Sequence, residues 1–417
     1  MFAKIRYAWN RGCAWWSTKI NQIRQYFSDE GAAGDCFWWT DVLLLLGGVL
    51  NVHTSNWIHE RKIRIIFQSL SVYTVYVFYL RLYEALHEKK DASSLIMEIT
   101  KVTSISISCL RMVAAAFLIK VLNTIRSFVL SNSISSGDVE YDEREQNNFN
   151  RLAKRAIQVI FSWITADTIF FLIPSSTKDD LFQFPVPSFL IGEKASKILN
   201  MICVTSIPAS ILPKTISCTT CIGVMLIGMR TKLRVLAHRF ELISHQSISN
   251  EDQLYERIDR DLREFLTQHR MYLSYLKISK DLVGKAFLLV HYFSIFAIGA
   301  LLYACHEIER SFMTVVFGAA VSFFLSEYYL LCYLIDSLQD EADSIEQHIF
   351  ELGINLPFRP ERRSEYVQLR TALMIIWMNT RNGITMNCMG IFEINTPKFL
   401  SLINVAYSVL TFLIKME

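Results

Sequence analysis

Four charged side chains, Arg111, Asp167, Lys214 and Glu327, lie inside long apolar stretches. Charge buried in such surroundings must be paired or face a polar or ligand-filled space. By position along their segments, Asp167 and Lys214 reach a common level, which predicts an ion pair between them. Cys218-x-x-Cys221 has the spacing of a redox or zinc half-site. No second pair accompanies it, and it falls mid-segment, where cysteine packs as a small hydrophobe. Cys203 and Cys305 are the two cysteines placed to meet in a disulfide at one end. No His-Glu-x-x-His, glycine-rich phosphate loop or elbow serine occurs, so the chain carries no recognisable enzyme chemistry and no metal or cofactor motif.

The elements that position these groups are membrane spans. Of 417 residues, 52% are hydrophobic and only 19% charged, and mean hydropathy is +0.27. A soluble domain carries about 25% charge. Seven stretches reach the ~20 residues needed to span: 63–86, 95–119, 155–174, 198–229, 282–305, 312–335 and 396–414. Val42–Leu50 is too short and reads as interfacial or re-entrant. Met1–Ile20 mixes Lys, Arg and Trp without an apolar core and reads as an interfacial segment. Net charge of +3 is too weak to indicate nucleic acid. Pro208 and Pro213 predict a kink in the fourth span.

Arg and Lys concentrate in the connections after spans two, four and six, which predicts a cytoplasmic N-terminus and an extracellular C-terminus. That is the reverse of a G-protein-coupled receptor. Two of these connections are amphipathic. Leu254, Ile258, Leu262, Phe265, His269 and Tyr272 follow a helical period, as do Leu334, Leu338, Ile345 and Ile349. Their apolar faces predict a cytoplasmic helical anchor bundle. Leu130–Asn148 reads as a solvated loop, and Gly353, Pro357 and Pro360 as a turn. The organisation expected is an all-α chain: 1–62 interfacial, 63–335 the first six spans, 336–395 the anchor and 396–417 the last span.

Three stretches give the chain a family resemblance. They are "REFLTQHRMYLSYLKI" (263–278), "YYLLCYLIDSLQDEADSIEQHIFELG" (328–353) and "MNCMGIFEINTPKFLSLINVAYSVLTFL" (386–413). With the outer-loop segment "FPVPSFLIG" (184–192), they resemble the insect odorant receptor family. The tryptophan that commonly closes the second stretch is replaced by "ELGINLP". Ala406-Tyr407 and Leu413-Ile414 stand where gustatory receptors and the olfactory co-receptor have Thr-Tyr and Gln-Phe. The resemblance therefore implies a ligand-tuning subunit, with a gustatory receptor as the near alternative.

It further implies an odorant-gated, non-selective cation channel in the plasma membrane of a sensory dendrite. The chain would assemble with the olfactory co-receptor (Orco) as a heterotetramer. A small volatile ligand would sit among the outer halves of spans two to six, which here offer Ser104, Ile107, Trp163, Asp167, Phe170, Ile207, Ile211, Tyr303 and Phe317. Such residues serve ordinary helix packing equally well. Asp167 has the further option of accepting a hydrogen bond from a donor ligand. The last span would line the pore, and lining up its ending with the family's places Leu410, Leu413 and Ile414 as an apolar gate. A polar stripe, Ser401, Asn404, Ser408 and Thr411, lies on a different face and either lines the pore or packs on a neighbouring helix.

Overall fold

The computed structural model describes residues 36–49, 57–88, 92–175, 192–246, 254–308, 312–356 and 358–416, with 178, 181, 182 and 189. Met1–Ile20, Pro357 and most of 184–192 fall outside these. The described residues form helices α1 (Trp38–Gly47), α2 (Trp57–His87), α3 (Ala92–Leu130), α4 (Val139–Leu172) and α5 (Glu193–Gln246). They continue as α6 (Leu254–Glu307), α7 (Phe312–Asn355) and α8 (Arg363–Gly383), a two-stranded hairpin β1 (Asn387–Cys388) and β2 (Phe392–Glu393), and α9 (Thr396–Met416). Seven helices, α2 to α7 and α9, are long and apolar enough to cross a membrane.

Length decides the architecture. At 1.5 Å per residue, the 54 residues of α5 and of α6 extend about 80 Å, far beyond the ~30 Å of a bilayer core. The surplus, with the end of α7 and all of α8, forms a second bundle that we call the anchor end. The apolar stripe of α6 turns inward there: Ile258, Leu262, Phe265, His269 and Tyr272 are buried, as are Leu338, Ile345 and Ile349 of α7. The core containing their apolar members runs on without a break into the middle of the spans. Glu341 accepts from Arg230 and Arg234 at 3.0 and 2.5 Å, tying α5 to α7. α5 is the central post, with 83% of its most apolar window buried, against 11% for α9.

Three expectations need correction. Leu130–Asn148 is no open loop. α4 begins at Val139, capped by Asp138 (Tyr141 N–H to Oδ1, 3.1 Å), and the turn before it is built. Ser135 and Ser136 donate to Asp142, while Lys232 and Arg239 of α5 reach the carbonyls of Ser131 and Ser135. Serine-rich composition here encodes capping, not solvation. Gly353 lies inside α7, so the turn follows Asn355. Pro208 and Pro213, where a kink was expected, both lie inside α5. α1 is buried in the bundle, as the re-entrant alternative allows and a helix lying on the surface does not: Asp41 pairs with Arg126 of α3 at 2.8 Å. A Cβ on Gly47 would stand 3.2 Å from the Pro213 carbonyl oxygen of α5.

Between α8 and α9 the chain reverses in a tight hairpin. Met389 and Gly390 both take positive φ, 51° and 77°, as a primed turn requires, and Ile391 N–H donates to Cys388 O at 2.9 Å. Burial pushes the Cys388 thiol above its ordinary pKa. The hairpin lies on α6, where a side chain at Gly284 would come within 2.7 Å of the Asn387 carbonyl oxygen.

Candidate functional site

At the end opposite the anchor, α2 to α7 do not close on one another. They leave a cavity of about 170 Å³. Its wall is Phe78 of α2; Met97, Thr100, Lys101, Ser104 and Ile105 of α3; and Phe171 of α4. Ile207 and Ile211 of α5, Leu301 and Ala304 of α6, Phe317 of α7, and Leu181 and Phe182 complete it. The apolar side chains around it form a cluster separate from the main core. An apolar cavity of about 150 Å³ stays dry and takes up a molecule of benzene's size. The few polar groups at its edge would fix orientation.

Those groups are tied down. Lys101 Nζ donates to Glu98 Oε1 at 2.5 Å and to the Leu181 carbonyl at 2.8 Å, and Arg81 Nη1 donates to the same carbonyl at 2.8 Å. Lys178 Nζ closes the last carbonyls of α4, Phe171 O at 2.9 Å and Ile173 O at 2.8 Å. These bonds fix Leu181 at the edge of the cavity.

Toward the anchor end, the α3 stripe that lines the cavity continues into a polar layer. Ser108 Oγ meets Thr215 Oγ1 at 2.8 Å, and Arg111 Nη1 donates to Thr215 O at 2.8 Å. Arg111 pairs with Glu327 of α7 at 3.3 Å, and Thr219 Oγ1 donates to Glu327 at 2.5 Å. The Arg111 guanidinium lies 4.8 Å over the Phe293 ring of α6. One buried ion pair thus joins α3, α5 and α7, with α6 covering it.

Ser104, Ile207, Ile211 and Phe317 line the cavity; Ile107, Trp163, Asp167, Phe170 and Tyr303 do not. Ile107 packs against the main core, and Trp163 lies 5.3 Å from Phe323. Phe170 sits edge-on to Phe312 at 5.7 Å, and Tyr303 is buried beside the wall residue Ala304. Phe170 and Tyr303 each stand one residue from a wall residue, Phe171 and Ala304, and one residue turns a side chain by 100°. The expected pair also fails. Asp167 is half-buried on α4 and pairs with no cation among the described residues, while Lys214 donates to Ser210 O of its own helix at 3.1 Å. Depth alone matched them; the faces they occupy do not meet. Legible on α3 is a stripe at helical spacing, Met97, Lys101, Ser104, Ser108 and Arg111, which runs from the cavity wall to the Arg111–Glu327 pair. Cys203 and Cys305 are free thiols, as are the buried Cys218 and Cys221.

α9 stands apart from the cavity. Leu402 and Ala406 are its buried residues, and Val409 continues that face onto Gly299 of α6, where an added Cβ would lie 2.7 Å from Val409 Cγ1. The polar stripe is elsewhere: Asn404 and Ser408 are exposed, Ser401 and Thr411 half-buried. It does not hold α9 to its own bundle. Leu410 and Leu413 are half-buried and Ile414 is exposed.

A family profile described as 7tm Odorant receptor matches residues 90–407. Among solved structures, the insect olfactory receptor OR5 from Machilis hrabei in complex with eugenol is similar in fold. Its TM-score is 0.69 at 13% identity, over 91% of this chain and 97% of that one. A second structure of OR5 from Machilis hrabei gives a TM-score of 0.68 at 12% identity, with the same coverage. No curated protein sequence matches the chain. With a profile match over most of its length and seven helices able to span a membrane, the chain belongs to the 7tm odorant receptor family.

Proposed function

We propose that this chain is the ligand-tuning subunit of an odorant-gated, non-selective cation channel. A small volatile molecule occupies the cavity bounded by Ser104, Ile207, Ile211 and Phe317, and α9 lines the pore. The observation that carries this reading is the apolar cavity among α2 to α7. A ligand acts on gating only if it favours one arrangement of those helices over the other. The OR5 structure with eugenol supports it, since a volatile phenol is bound there by a chain of the same fold.

The subunit works in a heterotetramer with the olfactory co-receptor, in the plasma membrane of a sensory dendrite. The N-terminus is cytoplasmic, consistent with the basic connections at the anchor end. Two exposed faces support assembly. Phe350, Ile354, Val367, Met374, Ile375 and Met378 leave a large apolar surface at the anchor end, of the kind oligomers cover. α9 is the least buried of the seven spans and needs a neighbour. The gate is assigned to Leu410, Leu413 and Ile414, with Asn404 and Ser408 on the adjoining face.

The test is cation current evoked by a panel of volatile phenols, ketones and esters, recorded with and without the co-receptor. Current that requires both chains supports the proposal. Equal current without the co-receptor rejects the tuning-subunit assignment and favours a self-sufficient channel.

A further inference from the structure

We propose that Asp336 is a positioning residue that couples the ligand-binding bundle to the pore helix. The inference rests on the reading that α9 lines the pore. Asp336 lies near the middle of α7, sixty residues before Thr396, yet one carboxylate oxygen accepts both Thr396 N–H (2.8 Å) and the Thr396 hydroxyl. These are bonds between two helices, made at the first residue of α9.

The helix does not need Asp336 as its own cap. Asn395 Oδ1 accepts from Lys398 N–H at 3.1 Å, the usual N-cap bond. Pro397 has no amide hydrogen to offer. Of the first three positions of α9, only the Thr396 amide is left over, and α7 takes it. A carboxylate here also faces the positive end of the α9 dipole. What the contact adds is location: the first turn of α9 must travel with α7.

The same helix reaches the cavity. Phe317 in the cavity wall and Asp336 are both on α7, about 28 Å apart at the α-helical rise. A helix shifts as a unit, so a displacement of α7 made by a ligand at Phe317 reaches Thr396. Two further contacts confine how α9 can answer. Phe399 packs 5.3 Å from Tyr329 of α7, and Gly299 of α6 lets the backbone at Ala406 come close. α9 is pulled at its start by α7 and pivots on α6 at Gly299.

The experiment uses the full chain co-expressed with the co-receptor and the panel compound that gives wild type its largest current. Current is normalised to subunits at the surface. Asp336→Ala should lower the maximal evoked current roughly fivefold, the scale of a lost charge-assisted cap, while the half-maximal concentration less than doubles. Asp336→Glu should recover most of the maximum. Thr396→Val removes only the hydroxyl; it should lower the maximum in wild type and do nothing further in Asp336→Ala. A merely structural role would cut surface number and leave maximal current per subunit unchanged. The proposal is overturned by an unchanged maximum in Asp336→Ala. Equal effects of Thr396→Val in both backgrounds would overturn it too. If modification of Leu410→Cys and of Asn404→Cys leaves current untouched, the pore reading falls and takes this inference with it. If modification blocks current and Asp336→Ala gates normally, only the coupling role falls.

Discussion

At the anchor end, Phe265, Tyr272 and Ile345 are buried in one core, and Arg230 and Arg234 clamp Glu341 beside a polar cavity of about 160 Å³. At the cavity end, Phe78, Phe171 and Ile207 are also buried, yet they surround about 170 Å³ of space. The two ends hold spaces of similar size and opposite character. Tyr141, Arg234, His238, Glu341 and His348 line the one at the anchor end, whereas at the other end six helices surround a space lined almost wholly by apolar side chains. The anchor end carries the continuous buried core, and the function proposed above assigns the cavity end to a ligand. The Arg111–Glu327 layer divides them.

That layer should give the largest effect. Arg111→Leu or Glu327→Leu alone leaves an uncompensated buried charge and should cost roughly 3–5 kcal/mol, read as lost surface expression and thermal stability in detergent. Arg111→Met with Glu327→Leu should recover most of that loss. The comparison itself is broken or sharpened by matched truncations. Phe265→Ala at the anchor end should cost about 3–5 kcal/mol. Phe171→Ala should cost less, because its surroundings are already open, and should change which panel compounds evoke current. Equal destabilisation by the two would contradict the division of labour. Smaller again, Gly284→Ala places a methyl against the hairpin backbone and should destabilise by about 1–3 kcal/mol, measured as a fall in thermal midpoint. Smallest is acid sensitivity at the start of α4. The bond from Tyr141 N–H is the main cause that holds Asp138 below the usual carboxylate range. Its contribution is present above the unfolded pKa and lost as pH falls through the folded one. Asp138→Asn, which caps equally well, should leave stability at neutral pH unchanged and remove this dependence.

Much of this was legible in the sequence. Span number followed from apolar length, and the anchor helices from the period of Ile258, Leu262, Phe265 and Tyr272. Register was not. Whether Phe170 or Phe171 enters the cavity turns on 100° of rotation set by neighbouring helices. The ion pair was misassigned for the same reason: depth along a span can be counted, but the face of Asp167 or Lys214 depends on packing. The serine-rich stretch before α4 looked solvated because caps and loops draw on the same residues. The tie from Asp336 to Thr396 joins residues sixty apart in sequence, and no local pattern announces it; the hairpin at Met389-Gly390 is local, but its strands of two residues each are too short to show a period.

The central claim is that occupancy of the outer cavity opens the channel. It is tested most directly by comparing odour-evoked cation current in wild type and Ser104→Trp, each expressed with the co-receptor and matched for surface number. An indole at position 104 fills the space that Ile207, Ile211 and Phe317 leave open. The account predicts that wild type responds to small volatile compounds and that Ser104→Trp does not respond to the same compounds at any concentration used. Matching concentration–response curves for the two would contradict it.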